Sequence, residues 1–157
     1  MNHARTLAIG LSLLLLTGLG STARAQDVSP ELREVLERCI AQLRQGAKLA
    51  NDQIAANRRC VAAVKRLLEA GEKEAAIRKA RECLKESRET RRRMLHICRQ
   101  CLAALRKAGA PPRLIHRFKL VWQRQIRRVG HSEKPLVRFL RHAHDRADDR
   151  PNDRTRD

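Results

Sequence analysis

Apolar residues recur every three or four positions along two long stretches of the chain, residues 30–70 and 73–108. This spacing places them on one face of a helix and predicts two long amphipathic helices. The first stretch follows Ser29, a favourable N-cap, and each stretch is followed by a glycine suited to closing a helix, Gly71 and Gly109. We therefore predict a long helical hairpin that turns at Gly71.

The middle of the first apolar stripe is weakened by a glycine and two polar residues, Gly46, Gln53 and Asn57. A glycine inside a helix costs about 1 kcal/mol relative to alanine, so Gly46 is an alternative end for the first helix. We favour one continuous helix that bends near Gly46.

The C-terminal third of the chain predicts two shorter helices. The first spans residues 112–129, and Gly130 is expected to end it. Ser132 is then expected to cap a second helix over residues 132–140. Residues 141–157 contain no large apolar side chain and are expected to form a flexible charged tail.

The composition supports an all-α fold. The chain has two Phe, one Trp and no Tyr, and it is rich in Ala, Leu, Arg and Glu, which favour helix over strand. We predict a single domain over residues 26–140, in which a long antiparallel hairpin and the two shorter helices form a bundle.

Four of the five cysteines lie as near mirror images about the predicted turn at Gly71. Cys39 and Cys60 on the first helix are separated by about 31 Å, and Cys83 and Cys101 on the second by about 27 Å. The difference is less than one helical turn. The spacing therefore predicts two disulfides across the hairpin, Cys39–Cys101 and Cys60–Cys83.

Cys98 is left over in this scheme, because it is rotated away from the face that Cys83 and Cys101 share. A Cys39–Cys98 bridge is the alternative if the helices bend. Cys98 and Cys101 also form a C-x-x-C pair, which makes a metal-binding or thiol-redox site the alternative functional interpretation. Leu102 follows where a c-type haem site needs histidine, and we predict neither a metal ligand set nor a cofactor.

The N-terminus has the features of a cleaved signal peptide over residues 1–25. A basic start precedes an apolar segment at residues 6–20, and Ala23-Arg24-Ala25 provides a small-residue cleavage motif. A transmembrane anchor is the alternative, but the uninterrupted apolar stretch is shorter than the ~20 residues that a span needs. We expect a secreted or periplasmic protein, in a compartment where disulfides persist.

The formal net charge of +18 is concentrated in the second half of the chain. Residues 71–140 carry 20 Lys and Arg against six Asp and Glu. Helical spacing places many arginines away from the apolar faces, which suggests electropositive surfaces for a polyanion. A basic surface that serves only solubility is the alternative. The candidate anion-binding residues are Arg78, Arg81, Arg88, Arg92, Arg117, Arg124 and Arg128.

The expected partners are an anionic lipid, a cell-envelope polymer or an acidic protein. Nucleic acid is not expected as a partner, because it is scarce outside the cell. The chain also lacks the aromatic side chains that stack on single-stranded bases. The helix over residues 112–129 has an apolar face that includes Trp122 and a basic opposite side, so it could lie in a membrane interface. We favour the alternative, in which this face covers the hairpin.

No catalytic motif is present, and the acidic residues alternate with bases at helical spacing, as in Glu74 with Arg78. The sequence therefore predicts a non-catalytic binding or structural module, with no catalytic residues, and leaves the oligomeric state open.

Overall fold

The computed structural model of the protein describes residues 29–148, with side chains described as far as residue 144. This part of the chain forms three helices and contains no strand. Helix α1 is Pro30–Glu69, α2 is Lys73–Lys107 and α3 is Pro112–Asp148. The predicted all-α class is confirmed, and the first helix is continuous through Gly46.

The capping residues predicted at the ends of the first two helices have the expected roles. The Ser29 hydroxyl accepts the Leu32 N–H at 3.2 Å, which caps the start of α1. Gly71 and Gly109 both adopt a left-handed backbone conformation, with φ of 79° and 72°. At each turn the glycine and the next residue donate their N–H groups to carbonyls of the last helical turn. This Schellman arrangement needs a positive φ, which glycine adopts without a steric penalty.

Along the contact between α1 and α2, residues with lower numbers in α1 meet residues with higher numbers in α2. This is the order that two antiparallel neighbours require. From the turn outwards the pairs are Cys60 with Cys83, Asn57 with Ser87, Gln53 with Thr90 and Gln42 with Cys101.

Helix α3 packs against both α1 and α2. Where α3 contacts α1, the residue numbers increase in the same direction along both helices, as in Asn51 with Arg128 and Asn57 with Ser132. Helix α3 therefore runs parallel to α1. The three helices therefore form an up-down-up bundle.

The core has two apolar clusters. The larger lies in the half of the bundle distant from the α1–α2 turn and includes Met94, Leu105, Phe118 and Trp122. The smaller lies near that turn and includes Leu136. Phe118 is 1% exposed and Trp122 is 0% exposed, so the apolar face of α3 covers the hairpin, as favoured from the sequence.

Helix α3 does not end at Gly130, which corrects the prediction of two separate C-terminal helices. Val129 and Leu136 are buried on the same side, two turns apart, so a continuous helix keeps both in the core. Pro135 costs one helical hydrogen bond, but its ring is exposed at the surface. Ser132 is not an N-cap, since its hydroxyl donates to the Val129 carbonyl at 2.7 Å.

Residues 141–148, predicted to belong to a flexible tail, are instead helical and form the end of α3. The rest of that tail and the predicted signal segment, residues 1–25, lie outside the described residues.

Candidate functional site

The bridge between Cys60 and Cys83 is present, as the cysteine spacing predicts. The S–S distance is 2.13 Å and the two Cα atoms are 6.5 Å apart. The bond joins the C-terminal part of α1 to the N-terminal part of α2, across a sequence separation of 23 residues. It therefore fixes the hairpin close to its turn.

The second predicted bridge, Cys39–Cys101, is not formed in this structure. Cys39, Cys98 and Cys101 are all free and buried. The two helices do bring Cys39 and Cys101 together, but each thiol donates to an oxygen. Cys39 Sγ donates to the Cys101 carbonyl at 3.7 Å, and Cys101 Sγ donates to Gln42 Oε1 at 2.7 Å. Cys98 is unpaired as expected, but it is one of three free thiols.

The three free thiols are held in their protonated form. Burial raises the pKa of Cys39 and of Cys98. It raises the pKa of Cys101 to about 12, and the neighbouring Cys39 adds to that rise. The thiolate is the form that ligates metals and attacks disulfides, and reactive cysteines have lowered pKa values and exposed sulfur atoms. Residues 29–148 also contain no group of three or more His, Cys, Asp or Glu side chains placed to hold a metal ion.

We expect three thiols to titrate when the non-reduced mature protein is unfolded in denaturant. In the folded protein at pH 8 the same thiols should react slowly with a thiol reagent, since they are buried and protonated. Reaction with a chromogenic disulfide before and after unfolding measures both values. A single thiol in denaturant would instead indicate the two bridges first predicted from the spacing.

A buried polar cluster separates the two apolar clusters of the core and joins all three helices. Asn57 Nδ2 donates to Ser87 Oγ at 3.1 Å and to Ser132 Oγ at 2.8 Å. The Ser87 hydroxyl donates to Glu133 Oε1 at 2.7 Å, and Gln53 donates to Asn57 Oδ1 at 3.0 Å. Each polar side chain of this cluster therefore has a partner, which removes most of the cost of its burial.

Sequence reasoning missed Glu133 as a core residue. Its side chain is 8% exposed and its Oε2 lies 3.3 Å from Nη1 of Arg91, which is on α2. The same Arg91 nitrogen lies close to Gly130, since a Cβ there would be 2.8 Å from it. The available signal was a polar residue on the apolar stripe of each helix, at Asn57, Ser87 and Glu133.

Glu133 is also the only acidic residue of the chain between positions 112 and 144. Because its carboxylate is buried and paired, the exposed surface of this part of α3 carries bases and no carboxylate. The exposed bases are Arg113, Arg117, Lys119, Arg124, Arg127, Arg128, Lys134, Arg138 and Arg141.

All seven arginines predicted to bind anions are exposed, and within residues 29–144 none of them forms a salt bridge. They form two groups, one on the side of α3 next to α1 and the other on α2, next to the opposite side of α3. Arg128 donates to Asn51 Oδ1 at 3.2 Å and so lies beside α1, with Arg124 one turn before it. Arg117 lies on that side too, since it precedes Arg128 by about three helical turns.

The arginines of α2 lie on the other side. Arg88 precedes Arg91 by about one turn, and Arg91 reaches Glu133 of α3, so Arg88 lies at the border between α2 and α3. Arg81 and Arg92 follow the same row at helical spacing, and Arg78 lies one turn before Arg81.

No protein-family model, curated protein or solved structure matches this chain. Along residues 29–148, no helix has an apolar stretch long enough to cross a bilayer.

Proposed function

We propose that the protein is a secreted or periplasmic, non-catalytic module that binds an anionic surface or an acidic partner. The signal-peptide features of residues 1–25 support the compartment, and the Cys60–Cys83 bridge is consistent with it. The binding groups are the exposed guanidinium groups of α2 and α3.

The observation that carries this proposal is the one-sided charge of α3. An ordinary helix surface mixes both signs, and i,i+4 pairs neutralise much of its field. The exposed surface of α3 has no carboxylate as far as residue 144, so the field of its bases is not cancelled locally. Such a field attracts anions over several ångströms and accelerates their association.

The buried groups favour binding over catalysis. The polar side chains of the central cluster form hydrogen bonds with one another across the three helices, so their role is to stabilise the fold. The free thiols are buried and protonated, which does not favour the alternative metal-binding or thiol-redox site at Cys98 and Cys101.

The packing also limits how the protein could meet a lipid surface. Trp122 and the other apolar residues of α3 are in the core, so this helix cannot insert its apolar face without opening the bundle. Contact with a membrane would therefore be peripheral and chiefly electrostatic.

Sedimentation of the mature protein with anionic and neutral vesicles tests the proposal. We expect binding to the anionic vesicles only, and an acidic polymer should compete for it. Affinity should fall about tenfold or more from low to high salt, because exposed charges are screened within about 8–10 Å at physiological ionic strength.

Charge reversal supplies the second arm of this test. The triple variant Arg88→Glu, Arg92→Glu, Arg124→Glu should lose binding while retaining the helical circular dichroism spectrum, since all three side chains are exposed. If the unmodified protein shows no preference for anionic vesicles and no retention by the polymer at low salt, the basic surface serves solubility.

A further inference from the structure

Three of the carboxylates of α2 lie on the side of that helix that borders α1. Glu86 precedes Thr90 by one turn, and the Thr90 hydroxyl donates to Gln53 of α1 at 2.8 Å. Glu82 and Glu89 lie one turn before and after Glu86. These carboxylates therefore border α1 and form part of the α1–α2 face, together with Asp52 beside Gln53.

The opposite border of α2 is basic. Arg91 crosses from α2 to Glu133 of α3, and it marks the line where the two helices meet. Rows of exposed bases follow this line on both helices at spacings of three, four or seven residues. We call this surface the α2–α3 face. It consists of Arg81, Arg88, Arg92 and Arg99 on α2, and Arg127, Lys134, Arg138 and Arg141 on α3.

A cavity of about 230 Å³ opens on the α3 side of this face. Three of its lining residues are bases, Lys134, Arg138 and Arg141, and Gly130 lines it beside the Arg91 guanidinium. The carboxylate of Glu133 also lines it, but Arg91 balances that charge. The cavity therefore combines space for a phosphate group with cations that can contact it.

Two apolar side chains on the same face are exposed. Leu95 follows Arg91 by one turn and is 41% exposed, and Val137 follows Glu133 by one turn and is 37% exposed. A dissolved linear polyanion gains little from such groups. A lipid surface offers phosphates to the bases and an apolar boundary to the leucine and valine side chains. Two adjacent helices, with axes about 8–10 Å apart, also present a broad surface suited to a bilayer.

We propose that the α2–α3 face docks on an anionic phospholipid bilayer, with the α1–α2 face, where carboxylates lie among the bases, turned away from it. This inference rests on the proposed anion-binding function and specifies the face and the partner. The bases contact lipid phosphates, one of them held in the cavity beside Lys134. Leu95 and Val137 reach the boundary between headgroups and acyl chains.

Vesicles of phosphatidylglycerol mixed with phosphatidylcholine, at moderate salt, test the face. The variant Arg88→Glu, Arg92→Glu, Lys134→Glu should bind about 100-fold or more weakly, since each base near an anionic bilayer contributes substantially to affinity.

A matched control changes the net charge equally on the α1–α2 face. It is Arg38→Glu, Arg93→Glu, Lys107→Glu, and these three residues are exposed. Arg38 lies one turn before Gln42, which contacts α2, and Arg93 lies one turn after Thr90. Lys107 follows Arg93 by two heptads. This variant should lose less than about tenfold in affinity, through net charge alone. Equal losses in the two variants would overturn the assigned face.

A second pair of measurements separates the lipid from other anions. The variant Leu95→Ser, Val137→Ser should bind the vesicles more weakly, while its retention on a sulfated dextran column should be unchanged. If the unmodified protein is retained by the dextran but does not bind vesicles, the lipid partner is wrong and the broader anion-binding function survives. If neither ligand is bound at low salt, both proposals fail.

Discussion

Replacing Trp122 by alanine is expected to lower the free energy of unfolding by about 3–5 kcal/mol. The indole is 0% exposed and lies where α3 packs against α1, in contact with the position of Gly46. Its removal deletes the largest buried side chain of the core and leaves a cavity that the neighbouring helices can fill only in part. Denaturant unfolding followed by circular dichroism measures the loss.

The contact between Trp122 and Gly46 makes a sharper test, because the effect of one substitution should reverse with the other. A Cβ at Gly46 would overlap the indole ring. Gly46→Ala should therefore destabilise the unmodified protein by about 1–3 kcal/mol, although alanine ordinarily gains about 1 kcal/mol over glycine in a helix. In the Trp122→Ala protein the ring is gone, and Gly46→Ala should stabilise.

Gly130→Ala is the matched control for Gly46→Ala. It also adds a methyl group to a helical glycine, but there the group meets the end of the flexible Arg91 side chain. That side chain can shift, at the expense of its ion pair with Glu133, so the substitution should destabilise the protein less than Gly46→Ala does. Additive effects of Gly46→Ala and Trp122→Ala would contradict this packing of α3 on α1.

The hairpin could be predicted because its signals are local. Ser29 and the two turn glycines specify helix ends by backbone geometry, and the apolar stripe specifies which faces meet. Cys60 and Cys83 then set the register, since only facing positions allow the bond.

The central residues of the bundle could not be interpreted from one helix at a time. In the sequence of α1 alone, Gly46 and Asn57 weaken the apolar stripe. In the bundle, Gly46 is the space into which Trp122 packs, and Asn57 bonds to serines on both other helices. Both residues acquire their role from partners more than 25 positions away, which helical periodicity does not encode.

The continuity of α3 was missed for a related reason. Gly130, Ser132 and Pro135 together are typical of a helix end. Tertiary packing outweighs them, since Val129, Glu133 and Leu136 are all buried on one side. Local propensities of about 1 kcal/mol are readily exceeded by such burial.

Residue spacing alone could not predict which of the facing cysteines form a disulfide. Helical geometry placed Cys39 opposite Cys101, and the structure brings them together. Whether two facing thiols bond depends on side-chain orientation and on competing acceptors. Here the Cys101 carbonyl and Gln42 Oε1 accept the two thiol hydrogens.

Removing the Cys60–Cys83 bridge should be the second most costly change to the fold. The double variant Cys60→Ser, Cys83→Ser is expected to lose about 3 kcal/mol of unfolding free energy, because the bond closes a loop of 23 residues in the unfolded chain. The bond also holds the smaller apolar cluster, which includes Val64, Ala80 and Leu136 and has no aromatic residue among its buried members. The comparison of unfolding midpoints in urea measures the loss.

Reduction separates the bond itself from the effect of placing serine in the core. Dithiothreitol should lower the urea midpoint of the unmodified protein toward that of the double variant. It should leave the double variant unchanged, because the remaining cysteines, Cys39, Cys98 and Cys101, are already free thiols. A reductant effect that persists in the double variant would reveal a further bridge among those three. An unmodified protein insensitive to reductant, once unfolded and refolded in its presence, would show that the hairpin does not depend on the bond. In that case helix packing and the Asn57–Ser87–Glu133 cluster alone hold the register of α1 and α2.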